Sequence, residues 1–134
     1  MATALGLVLT ILSFAPAPPE PPALPPEVAK LAQGRLQAAL KAFDEAWVYY
    51  KQARTDVFDV FAWSKLVLES QAELSQTKEE YVAALGAHRD RMRELDALVK
   101  KVRRVGFAQS LDVASADYFL KDAEYRLARG KAQQ

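Results

Sequence analysis

Apolar positions along the chain recur at helical steps. From Glu27 to about Ala53, Leu36, Leu40, Phe43, Trp47 and Tyr50 are separated by four, three, four and three residues, the spacing of a helix that buries one stripe. From about Val57 to Val105, the positions Val60, Val67, Leu74, Tyr81, His88, Leu95 and Val102 keep a constant step of seven, which predicts one long helix with a coiled-coil seam. The companion positions shift along the way. Trp63, Ser70, Thr77 and Ala84 follow the ladder by three places, whereas Leu85, Met92 and Val99 follow it by four. The seam therefore rotates, as expected of a helix that changes partner midway. A third segment, from about Ser110 to Arg129, carries Val113, Ala116, Leu120, Ala123 and Leu127 in the same three-four rhythm.

The pattern is also repeated. A shift of 53 positions brings Ala53-Arg54-Thr55-Asp56-Val57-Phe58-Asp59-Val60 onto Gly106-Phe107-Ala108-Gln109-Ser110-Leu111-Asp112-Val113, so a helix-turn-helix unit is used twice. Thr55 or Asp56 can cap the second helix and Ser110 the third, with Asp59 and Asp112 placed to meet the positive ends of the helix dipoles. Lys100, Lys101, Arg103 and Arg104 suit the opposite end, and Gly106 is a natural left-handed stop. Ala53 holds the matching place, where a left-handed Ala costs about 1 kcal/mol more, so that turn is expected to be built differently. The first and third helices, roughly 27 and 20 residues, together match the roughly 49 of the second, which would extend about 70 Å. The expected fold is all-α and elongated: antiparallel helical hairpins forming a coiled coil over residues 27–130, one long central helix with two shorter ones stacked end to end along it, hairpin turns at opposite ends, and a tail at 131–134. A compact four-helix bundle, with the central helix broken at Gly86, ranks second, because a lone Gly is no turn.

Composition narrows the function classes. The 134 residues carry 18 Lys plus Arg against 17 Asp plus Glu, a net charge of +1, which offers no global field for nucleic acid or an anionic membrane. With no cysteine, disulfides, thiolate metal sites and thiol nucleophiles are excluded. Ala4 to Ala15 is an apolar run of signal-peptide length, too short to span a bilayer, with Ala15 and Ala17 as cleavage sites, although no Lys or Arg precedes it. Residues 1–17 are thus expected to be a signal peptide that exports the chain to the periplasm or cell envelope, with membrane contact only through an uncleaved N-terminus. Every proline lies between Pro16 and Pro26, making 18–26 an extended Pro-rich spacer.

The segments Tyr50 to Val60 and Val105 to Val113 resemble the tip motif of TolC-like outer-membrane efflux proteins, a Gly six residues before Asp-Val followed by a long helix. The resemblance covers nearly all of Glu27 to Arg129 and implies the stacked-helix layout above. It also implies that Val105-Gly106-Phe107 contacts the helical hairpin of a periplasmic adaptor. Asp112 would meet a Tyr and an Arg of the other repeat, with Tyr50 on the Tyr position, Arg54 one place off the Arg position and Ala53 replacing the Gly. No alternating strand run of bilayer-spanning length is present, so the chain can match only the helical part of such a pore protein.

No constellation of catalytic residues stands out. His88 is the only histidine and sits on the seam ladder, Ser64, Ser70 and Ser75 have no nucleophile elbow, and Glu69, Glu73, Glu79 and Glu80 are spaced as a solvated face. The expectation is a non-enzyme without cofactor or metal. Arg89 to Arg104 form a basic stretch of dipole-matched surface charge. Aromatic residues gather at the first turn, where Tyr49 and Phe58 lie off the seams and are the candidates for an outward patch. The interaction residues expected at the turns are Tyr50, Ala53, Arg54, Thr55, Asp59, Val105, Gly106, Phe107, Ser110 and Asp112. They would make the chain an exported coiled-coil interaction module, docking through its turns to an adaptor-like hairpin or to itself as a homo-oligomer. The alternative is a self-associating scaffold or chaperone-like helical rod unrelated to transport.

Overall fold

The computed structural model describes Pro16, residues 22–106 and residues 108–133. The rest of the expected signal peptide 1–17, spacer residues 18–21, Phe107 and Gln134 of the expected tail lie outside the described residues. Four helices follow in order: α1 (Pro26–Lys51), α2 (Val57–Leu74), α3 (Lys78–Arg104) and α4 (Ser110–Ala132). α1 opens where the proline run ends, with Pro26 in its first turn, a position that needs no amide hydrogen.

The all-α content agrees with the sequence pattern, but the long central helix does not form. The chain leaves α2 at Ser75 in extended backbone and re-enters helix after Thr77, also extended. The Thr77 hydroxyl accepts the Glu80 amide hydrogen at 3.1 Å, and the Glu80 carboxylate accepts the Gln76 amide hydrogen at 2.6 Å, a reciprocal cap that starts a new helix. Gly86, the alternative break, lies inside α3. The elongated rod is thereby replaced by a compact four-helix bundle of helices of similar length. A two-layer rod would leave much of each apolar stripe wet, and reversal at Ser75–Thr77 lets α2 and α3 cover one another instead.

α1 pairs with α2 and α3 with α4, while α2 lies against α3 and, more lightly, α4. α1 approaches α3 through large side chains alone. Phe43, Trp47 and Tyr50 pack on a core of Val57, Val60, Met92, Leu95, Val99 and Phe119. A smaller cluster of Leu68, Ala84, Leu85 and Leu127 fills the other end, near the α2–α3 turn. Val60, Val67, His88 and Leu95 of the seven-step ladder are buried, whereas Tyr81, beside the reversal, is exposed. At Gly130 α4 comes so close to α3 that an added Cβ would run into the Leu85 Cδ1.

Candidate functional site

The two repeated turns close in the same way. Ala53 has φ +55° and Gly106 φ +86°. The Ala53 amide donates to the Tyr50 carbonyl at 3.0 Å, the equivalent Gly106 amide donates to the Arg103 carbonyl at 3.0 Å, and Arg54 N–H reaches the Tyr49 carbonyl at 2.8 Å. This is a Schellman stop with alanine in the left-handed place. The expectation that the Ala53 turn is built differently is corrected. The Arg54 guanidinium lies 4.7 Å from the centre of the Tyr49 ring, a cation–π contact that takes the place of the usual apolar clasp across such a stop. Asp56 caps α2 through its side chain, accepting from Phe58 N–H and Asp59 N–H at 3.0 and 3.2 Å. Ser110 is not the cap of α4. Gln109 holds that place, and its amide hydrogen goes to the Asp112 carboxylate at 2.9 Å.

Folding into a bundle brings both turns to one end, where the rod would have put them at opposite ends. Tyr50, Ala53, Thr55 and Asp112 line a cleft of about 450 Å³, floored by Leu98 and Val102. Burial, and then the negative charge of Asp112, raise the Tyr50 phenol above its ordinary value. Tyr50 and Asp112 therefore share one cleft. The remaining candidates are elsewhere: Arg54 lies over Tyr49, Asp59 accepts the Thr55 hydroxyl, and Val105 and Ser110 face solvent. Tyr49 and Phe58 are 42% and 49% exposed, and Phe58 also sets its ring edge-on to Phe119 with centroids 5.3 Å apart.

A polar cluster crosses the core between α2 and α3. Arg91 Nε donates to Ser64 Oγ at 2.7 Å, Arg91 Nη2 to the Ser64 carbonyl at 3.2 Å, and Ser64 Oγ lies 2.8 Å from His88 Nδ1. Since Arg91 is always a donor, the Ser64 hydroxyl is free to donate to Nδ1. The ring is then neutral with its proton on Nε2, a buried nitrogen with no partner. Burial, and next Arg91, lower the His88 pKa to about 4, against the opposing charge of Asp122, with Arg126 and Lys65 lowering it further. His88 is 1% exposed and Ser64 wholly buried, so this pair has no route to a substrate and works as internal wiring. The Arg91 guanidinium also sits 5.5 Å from the Phe43 ring centre, tying α1 to the cluster. Among the described residues no group of three or more His, Asp or Glu is arranged to hold a metal, and no helix is long and apolar enough to cross a membrane.

The surface is more informative than the interior. On α4, Leu111, Tyr118 and Tyr125 are 66%, 64% and 61% exposed, one row at steps of seven. On the other side, Leu31 of α1 is 74% exposed, and a groove of about 320 Å³ between α1 and α2 is lined by Arg35, Trp63, Leu66 and Glu69. The turn-centred reading of the sequence missed both. The α4 row was legible as a second seven-step stripe, displaced by two residues from Val113, Leu120 and Leu127.

The periplasmic efflux role that the TolC-like resemblance implied rested on a continuous coiled-coil rod, and the compact bundle overturns that role. The segment expected to be a signal peptide, 1–17, lies outside the described residues apart from Pro16. No family model, curated protein or solved structure matches the chain, so the resemblance stands on its short motifs alone.

Proposed function

We propose that the chain is a non-catalytic helical scaffold that associates with copies of itself. The observation that carries this reading is the pair of open apolar faces. Leu111, Tyr118 and Tyr125 on α4, and Leu31 with Leu66 beside the α1–α2 groove, are large side chains on regular, well-packed helices. Clusters of exposed apolar groups on rigid elements mark interaction surfaces more often than solvent faces. The buried Ser64–His88 pair is consistent with that reading, because reaction at a side chain needs contact with substrate. A net charge of +1 favours a protein partner over nucleic acid. Sedimentation velocity of the full chain over a range of concentrations tests the proposal. Growth in sedimentation coefficient with concentration is expected, and a single monomeric species throughout would refute it.

A further inference from the structure

The interface between the two hairpins says which surfaces should meet. α1–α2 and α3–α4 are the two copies of the 53-residue unit, with Val57 and Ser110 both opening their second helices and the same left-handed stop between helices. Within the chain, one face of α2 covers the second hairpin. Phe58 and Phe61 pack on Phe119, with Phe61 stacked at 4.0 Å. Leu68 joins Leu85 and Leu127, and Ala72 borders a groove with Tyr81 and Gly130. Moved on by the repeat length, Phe58, Phe61, Lys65, Leu68 and Ala72 become Leu111, Ala114, Tyr118, Lys121 and Tyr125. Each of these is exposed. The face that receives α2 maps the same way onto the first hairpin: Tyr81, Ala84, Leu85, Phe119 and Asp122 become Val28, Leu31, Ala32, Leu66 and Glu69. Val28, Leu31 and Leu66 are among the exposed large apolar residues, and Leu66 and Glu69 line the α1–α2 groove. One inter-hairpin contact is made inside the molecule, and the two halves of a second such contact are left open on its opposite sides.

We propose that these halves belong together, so that the occupant of the α1–α2 groove is the α4 row of a second copy of this chain, docked head to tail. The inference rests on the self-association reading and specifies its register. Leu111 of one copy packs on Leu66 of the next, as Phe58 packs on Phe119. Tyr118 lies toward Arg35, the position of His88, where an aromatic face meets a guanidinium. Lys121 lies toward Glu69 and Glu73, so the charges are opposite. In the isolated chain Arg35 is already 3.6 Å from Glu73, with both side chains more than half exposed. Such a contact is heterologous: each copy offers a different surface at its two sides, so chains can add in series or close into a ring.

The test uses two full-length variants, each spoiling one face at exposed positions. Tyr118→Glu with Tyr125→Glu blocks the α4 row, and Leu31→Glu with Leu66→Glu blocks the groove. Circular dichroism melting should show both folded as wild type. Sedimentation velocity should show wild type growing beyond a dimer, and each variant alone monomeric, with association weakened by about a hundredfold or more by an unpaired buried carboxylate. An equimolar mixture should give one-to-one heterodimers and nothing larger, because each variant keeps the face the other lacks. The docking register is overturned if the wild type associates and either variant still does so unchanged, or if the mixture stays monomeric. Loss of association in the α4 variant alone would mean a symmetric α4–α4 contact and also overturn it. A wild type that stays monomeric throughout would instead overturn the self-association reading itself.

Discussion

Acidification should weaken this bundle through one residue. An unfolded His88 titrates near 6.5, whereas burial and Arg91 hold the native imidazole down to about 4. Between those values the unfolded chain binds a proton that the native chain refuses, so stability is fully present above pH 6.5 and is lost as pH falls toward 4. Protonation would put a hydrogen on Nδ1, where the Ser64 hydroxyl now donates, and a cation beside Arg91. From the gap in pKa, lowering pH from 7 to 5 should cost about 2 kcal/mol, and the full shift about 3 kcal/mol. Urea unfolding followed by far-ultraviolet circular dichroism at both pH values measures it, with His88→Gln as reference. The amide oxygen of Gln can still accept from Ser64 but does not titrate, so the difference between the two pH slopes isolates the imidazole from carboxylates that titrate in both proteins. Parallel slopes for wild type and His88→Gln would refute the assignment of a neutral, sealed ring.

Other substitutions follow from particular contacts. Ala53→Gly should raise stability and Gly106→Ala lower it, each by about 1 kcal/mol, because both sites are left-handed and Gly106 has nothing within 4 Å of an added Cβ; thermal melts of the two variants should move in opposite directions. Thr77→Ala removes the side chain that caps α3 and should cost about 1 kcal/mol in urea unfolding. Gly86→Ala, with open space around it, should stabilise by up to about 1 kcal/mol. Gly130→Ala meets the buried Leu85 and should lose about 1 kcal/mol net, overpacking outweighing helix propensity; equal shifts in melting temperature for the two would contradict the close approach of α4 to α3.

Helix borders outside residues 75–77 were readable from the sequence because their causes are local. The proline run sets the start of α1, Asp56 supplies an acceptor for free amides, and Gly106 supplies a left-handed stop. The reversal at Ser75–Thr77 was missed for a physical reason. A heptad ladder records which side of a helix faces the core, and two antiparallel helices facing the same core can keep a common count of seven across a short turn. Leu74 and Tyr81 continued the ladder on paper although the chain leaves helix between them at Ser75–Thr77. The change in companion spacing from three to four falls at Ala84 and Leu85, inside α3 and past the reversal, whereas Thr77-Lys78-Glu79-Glu80 carried the Thr-x-x-Glu pattern of a helix start at the reversal itself. The spacing change fitted a continuous helix as a seam rotation, because a pattern of burial does not say whether the partner changed or the chain turned back.

The same ambiguity governs the surface. Leu111, Tyr118 and Tyr125 repeat at the step of seven that also produces Val60, Val67 and His88, yet the first set is exposed and the second buried. Periodicity assigns residues to a face, and only the other half of the contact decides whether that face is covered. For Phe58, Phe61 and Leu68 the other half lies later in the same chain, on α3 and α4, and the contact closes during folding. The corresponding residues of α4 are exposed, and nothing covers them among the described residues. The complementary positions, Leu31 and Leu66, are exposed as well, and α1, which carries Leu31, does not pack on α4. A repeat of two units thus makes one internal interface and leaves two unlike faces open, a geometry whose natural continuation is another molecule.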